Sequence, residues 1–255
     1  MLDSISHITG ARVTATDGDI GDVTDAYFDD RTWTVRYLVV DTGGWLGQRE
    51  VLISPYAVRQ PMSGDKQLHV ALTYDQVKRS PPVDTHQPVS RQQERELLRH
   101  YAYPEYWDGG GLWAMGAMPL PPPPVTEAQL AADRAMLERD FRKNDVHLRS
   151  SAHVTGYDIQ ASDDNIGRVQ DFVFDEASWA IRYLVVDTSA WWQGGKPVLV
   201  GVHWADRIDW ATRKVHVGLT RAQVRSSPAF QDVGSIHREY ETRLHQNYKR
   251  QGYWL

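Results

Sequence analysis

The chain has 255 residues, 41% apolar and 24% charged, the usage of an ordinary folded soluble protein with room for one large domain or two small ones. Its 33 acidic and 28 basic residues leave a net charge of −5, which supplies no general attraction to a phosphate backbone, so a nucleic-acid partner would need a local basic patch. Cysteine is absent, which excludes a disulfide framework, a thiolate nucleophile and a cysteine metal site.

The opening stretch MLDSISHITGARV lacks the basic start and apolar run of a secretory leader, and no 18-residue apolar window occurs. A cytoplasmic location is expected, with membrane association at most peripheral. Arg12–Ala15 alternates weakly, Thr16-Asp17-Gly18-Asp19 supplies a turn, and Gly21–Asp29 opens a second run, together a hairpin signal. Val35–Val40 is almost wholly apolar or aromatic, which predicts a strand covered on both faces. Glu50–Ile53 and Gln67–Leu72 add two shorter strands, the second with Leu68, Val70 and Leu72 inward and His69 and Ala71 outward. Thr73-x-x-Gln76 caps a short helix that stops at Pro81. Strands this short and this numerous predict a small barrel, because closure protects their edges.

After the barrel, Ser90-x-x-Gln93 caps a helix with Leu97, Leu98 and Tyr101 on one side, ending before Pro104. So narrow an apolar stripe holds no helix in water by itself, so the tail is expected to dock, most naturally on the outer face of Val35–Val40. Which barrel it covers, its own, the other or a second subunit's, stays open. Asp108–Val125, DGGGLWAMGAMPLPPPPV, is a Gly/Pro-rich linker. Its Pro121–Pro124 run favours a stiff polyproline segment, read as a spacer in preference to a docking motif for a partner's aromatic groove. Thr126-x-x-Gln129 begins a linker helix to about Lys143.

The second half then repeats the first. His7-Ile8-Thr9-Gly10 returns as His153-Val154-Thr155-Gly156, Ile20-Gly21 as Ile166-Gly167, and RYLVVDT at Arg36–Thr42 returns unchanged at Arg182–Thr188, each time preceded by a Trp, Trp33 or Trp179. The capping box returns as Thr220-x-x-Gln223, and the tail as a helix over Ile236–Tyr248 with Tyr240, Leu244 and Tyr248 in one row. The expected organisation is barrel 1 over 1–83, tail 84–107, linker 108–125, linker helix 126–150, barrel 2 over 151–230 and tail 231–255.

This order of motifs, Thr-Gly … Asp-Gly-x-Ile-Gly-x-Val … Arg-Tyr-Leu-Val-Val-Asp-Thr … Leu-Thr-x-x-Gln-x-x-x-Ser-Pro, resembles the PRC-barrel domain across Ile5–Pro82 and Ser151–Pro228. The resemblance implies a mainly β fold of two tandem barrels, each with a short helix and a helical tail. That domain is shared by the cytoplasmic part of the photosynthetic reaction-centre H subunit and by the C-terminal half of a ribosome maturation factor. The tails are similar to those of bacterial tandem PRC-barrel proteins. Unlike the H subunit this chain shows no transmembrane helix, and unlike the maturation factor no companion domain.

No catalytic constellation emerges from the residues. Asp17, Asp19, Asp22 and Asp25 lack the spacing of a calcium loop and read as turn carboxylates. His69 and His216 fall on outward strand positions, and Asp41 and Asp187 are expected to accept backbone N–H groups after their strands. Gly109-Gly110-Gly111 and Gly194-Gly195-Lys196 lack the strand and helix that a phosphate loop needs. No enzyme, cofactor or metal is therefore expected. What stands out is the aromatic load, with ten Trp and twelve Tyr. Loop and tail indoles at Trp45, Trp191, Trp192, Trp107 and Trp254 are the candidate interaction residues, since rigid aromatics bury much area at little entropic cost. The expected function is a scaffold or adaptor that binds proteins and self-associates. The alternatives are an RNA- or ribosome-associated factor and a peripheral subunit of a photosynthetic or membrane complex.

Overall fold

The structure, a computed structural model, describes residues 1–47, 49–59, 66–81, 89, 91–104 and 147–254. The chain divides into two compact units, one of Ile8–Ser150 and one of Met1–His7 together with Ser151–Leu255. The first strand, β1 (Leu2–Ser4), thus belongs to the second unit, and the chain passes to the first within α1 (Ile5–Ile8).

In the unit Ile8–Ser150, β2 (Arg12–Thr14), β3 (Asp19–Asp29), β4 (Thr34–Asp41), β5 (Glu50–Ile53) and β6 (Gln67–His69) form one sheet in the order β5-β4-β3-β2-β6. The β2–β3, β3–β4 and β4–β5 pairs are antiparallel, and β2–β6 is parallel. β3 is eleven residues long and carries register shifts at Val23/Asp25 and Tyr27/Phe28. Such bulges bend a strand. β4 lies along one edge of β3, and β2 fills only the first half of the other. The second half is filled by β7 (Leu148–Ser150), with Ser150 opposite Tyr27 and Leu148 opposite Asp29.

α2 (Tyr74–Lys78) starts at the expected capping box, with the Thr73 hydroxyl accepting from Gln76 N and the Gln76 side chain accepting from Thr73 N. α3 (Arg91–His100) is the tail. Its Leu97, Leu98 and the following Tyr101 are buried, and its Glu94 carboxylate accepts a hydrogen bond from Tyr37 of β4 at 3.3 Å. Tail 1 thus covers the repeated strand of its own repeat.

The second unit follows the same plan after α4 (Ser151–Val154). β8 (Asp158–Gln160), β9 (Asn165–Asp175), β10 (Ile181–Asp187), β11 (Pro197–Gly201), β12 (Ala205–Asp209) and β13 (Lys214–Val217) take the order β11-β10-β9-β8-β13-β12. The first unit matches the β12–β13 pair with the single bridge Val58–Val70. In both units the end strands of the sheet do not pair with each other among the described residues, so the sheet is not closed by backbone pairing, an arrangement compatible with the expected barrel. α5 (Arg221–Arg225) repeats the capping box, and α6 (Arg238–Tyr248) is the second tail, with Tyr240, Leu244 and Tyr248 buried as expected. β1 occupies the edge of β9 beyond β8, with Ser4 opposite Val173 and Leu2 opposite Asp175.

One arrangement is absent from the sequence-based expectation. Leu2–Ser4 heads the first repeat but lies on β9 of the second. Leu148–Ser150, in the stretch expected to close the linker helix, is a strand that heads the second repeat and lies on β3 of the first. The compact units differ from the sequence repeats by this reciprocal exchange. Asp108–Val125 and the helix expected to Lys143 lie outside the described residues, as does Trp107.

Candidate functional site

The candidate site is built on the connection between β10 and β11. Asp187 ends β10 and its carboxylate accepts Ser189 N at 2.9 Å, as expected of that residue. The Thr188 hydroxyl donates to Lys196 O at 2.7 Å and accepts from Lys196 N at 2.9 Å, pinning the base of the loop. Within it, Trp191 N donates to Thr188 O at 3.1 Å and Gly195 N to Trp192 O at 3.0 Å, with Gly194 in the left-handed region at φ 79°. A Cβ on Gly195 would overlap the Thr188 carbonyl. Two adjacent indoles are thereby held on a closed, hydrogen-bonded loop.

Each indole carries a guanidinium. Arg168 of β9 lies 5.4 Å from the centroid of Trp191, and Arg221 of α5 lies 5.5 Å from that of Trp192. Both are within the range of a cation–π contact. The arginines are themselves held: Arg168 pairs with Asp158 at 3.0 Å, and Arg221 pairs with Asp164 and donates to Trp191 O at 3.1 Å. Both indoles remain half-buried. The result is two half-buried indoles, each with a guanidinium within cation–π distance.

The first repeat does not reproduce this. Trp45 is the counterpart of Trp191 and lies in a 3₁₀ turn, Gly43–Leu46, between β4 and β5. At the other three positions Leu46 stands for Trp192, Asp22 for Arg168 and Tyr74 for Arg221. Asp22 instead pairs with Arg12 at 2.6 Å. Sequence reasoning named the indoles and missed both arginines. The signal was present as the departure of Arg168 from Asp22, visible once the repeats are aligned.

Trp254 belongs to a different group. It stacks under Arg238 at 4.2 Å and meets His245 and Tyr253 edge-on at 4.9 and 5.1 Å. At the centre of this group sits Glu241, which is buried. A buried carboxylate is costly without donors. Three are supplied: the hydroxyls of Tyr183 and Tyr253 at 2.8 Å each, and Arg238 in an ion pair at 3.1 Å. Burial pushes the phenols of Tyr183 and Tyr253 upward, and the neighbouring Glu241 carboxylate adds to this. His245 bridges Tyr183 and Gln251 O at 3.0 Å each, and burial lowers its pKa. The cluster anchors tail 2 on β10 of its own repeat, and the half-buried Trp254 packs against it.

The remaining candidates have local partners. Asp17 accepts Tyr74 N at 2.8 Å, Asp19 accepts the Thr14 hydroxyl at 3.0 Å and Asp25 accepts the Ser150 hydroxyl, so the acidic hairpin residues are engaged one by one. Asp41 accepts Gly43 N at 2.8 Å. His69 is exposed, beside Thr14, Thr16 and Arg59 at an open depression of about 270 Å³.

Sequence comparison agrees with this duplicated architecture. A scan of protein families matches the PRC-barrel domain at residues 2–77 and again at 150–224, more than half of the chain. The chain belongs to the PRC-barrel domain family. The first match begins at Leu2, the start of β1, and the second at Ser150, the last residue of β7. A search among curated proteins finds no match. PRC-barrel domains are protein-interaction modules and the family is generally non-catalytic. No helix among the described residues is long and apolar enough to cross a membrane.

Proposed function

We propose that this tandem PRC-barrel protein is a non-catalytic cytoplasmic scaffold or adaptor that engages protein partners, itself included, through the Trp191–Trp192 loop. The observation that carries this reading is the pair of indole–guanidinium contacts on a hydrogen-bonded hairpin loop, present in the second repeat and replaced at three of four positions in the first. A layer required only for folding would be needed by both copies of a duplicated fold. Trp and Arg are also the residue types that dominate protein–protein hot spots. The net charge of −5 favours a protein partner over nucleic acid.

Trp191→Ala combined with Trp192→Ala tests it. Hot-spot truncations cost about 2 kcal/mol or more each, roughly 30-fold in affinity. Self-association followed by light scattering should weaken accordingly, while the far-ultraviolet circular dichroism stays that of the parent. Association unchanged by the double substitution would remove the loop from the interface.

A further inference from the structure

We propose that the two halves of the chain are each other's binding partners, held by reciprocal strand addition that does not depend on the covalent connection between them. Pro104 and His147 both belong to the unit Ile8–Ser150. Each unit is completed by a strand whose sequence repeat lies elsewhere.

The backbone anchoring is the same on both sides, and the side-chain anchoring uses equivalent carboxylates. Just after β9, Glu176 N donates to Met1 O at 3.0 Å; just after β3 the equivalent Asp30 N donates to His147 O at 3.0 Å. Asp171 of the second repeat accepts from the backbone and hydroxyl of Ser6, while the equivalent Asp25 of the first accepts the hydroxyl of Ser150. Two equivalent carboxylates thus each receive a serine from the opposite half of the chain. A duplicated fold that pairs each lead strand with its own barrel has no reason to place them so.

The side on the first repeat is further secured. Arg149 pairs with Asp30 at 2.8 Å, and His147 pairs with Glu94 of α3 at 3.1 Å, the second pair fully buried. Glu94 also holds Tyr37, so the residue leading β7 is tied to the tail helix and to the repeated strand of the other repeat. Backbone pairing gives an added strand its affinity and side-chain anchors give it register.

The absence of cysteine allows a direct test in the full chain. A specific protease site is inserted at Gly109–Gly111. Ser4→Cys with Val173→Cys places a pair directly opposite across β1 and β9, and Ser4→Cys with Tyr27→Cys is the control for a lead strand on its own barrel. After cleavage, the fragments without added cysteines should co-elute at the mass of the intact protein. After oxidation, cleavage and denaturation, the Ser4/Val173 variant should run as one covalent species, and the Ser4/Tyr27 variant, whose two cysteines share a fragment, should keep both thiols reactive to a maleimide label. Fragments that separate on cleavage, or a disulfide that forms in the Ser4/Tyr27 variant and not in the other, would overturn the proposal. Neither result bears on the Trp191–Trp192 loop, which lies wholly in the second repeat.

Discussion

The conservation of RYLVVDT between the two halves has a residue-by-residue cause. Arg36 and Arg182 are buried and lie 3.9 and 3.3 Å from Asp29 and Asp175 at the end of the neighbouring long strand. Tyr37 and Tyr183 receive the tail through Glu94 and Glu241. Leu-Val-Val is core in both copies, Asp turns the chain, and Thr42 and Thr188 donate to Arg49 O and Lys196 O to close the loop. The preceding Trp33 and Trp179 adopt left-handed φ values of 52° and 58° and stack on Phe28 and Phe174 at 5.4 and 5.0 Å. That backbone conformation is unfavourable for a bulky side chain, and packing holds it in place. Gly21 and Gly167 are set by close approach: a Cβ on Gly167 would come 2.5 Å from Asp187 O, a backbone atom that cannot swing away. Gly167→Ala should therefore destabilise by about 2–3 kcal/mol, read as a lower midpoint in urea unfolding.

At the scale of the element, the tails behave as their apolar rows predict, and each covers the repeated strand of its own repeat. This explains why β4 and β10 are buried along nearly their whole length. What the rows did not reveal is the polar centre of the contact, a glutamate that an amphipathic reading assigns to solvent. Glu94 and Glu241 occupy equivalent tail positions, but the histidines that join them come from different places. Leu98 stands where tail 2 has His245. The pKa of His245 is lowered chiefly by burial, despite the opposing effect of Glu241, with His203 and Arg238 adding to the lowering; His203 is lowered by burial too. The unfolded chain accepts these protons near pH 6.5, the folded chain only below it. Between the two values the unfolded state binds more protons, so this stability is present above about pH 6.5 and is lost as the pH falls. Thermal unfolding should show a lower melting temperature at pH 5 than at pH 7.5, and His245→Leu, the residue of the first tail, should shrink that difference.

At the scale of the whole molecule, repeats and folding units are not the same objects. Ile8–Ser150 is continuous and contains every strand of its sheet. The other unit is discontinuous and draws β1 from the far side of it. Excised as residues 8–150, the first unit should melt cooperatively by circular dichroism. Residues 151–255 without β1 should melt at a lower temperature, because the edge of β9 from Val173 to Asp175 loses its partner and Asp171 loses Ser6. Equal melting of 151–255 with and without an added Met1–His7 segment would contradict this account of the unit.

The sequence by itself determined the duplication, the central strands and capped helices of each half and the need for the tails to dock. These follow from periodicity, capping boxes and turn residues, which act over a few neighbours and leave a local signature. Tertiary structure alone decided which barrel each lead strand completes and which cations cover the two indoles. Leu2–Ser4 and Leu148–Ser150 are three residues long, too short for an alternating pattern to name a face or a partner. Nothing in LDS or LRS distinguishes an edge in one repeat from the equivalent edge in the other. That choice rests on backbone hydrogen bonds and side-chain anchors between segments more than a hundred residues apart, which exist only once both long strands are bent and in place.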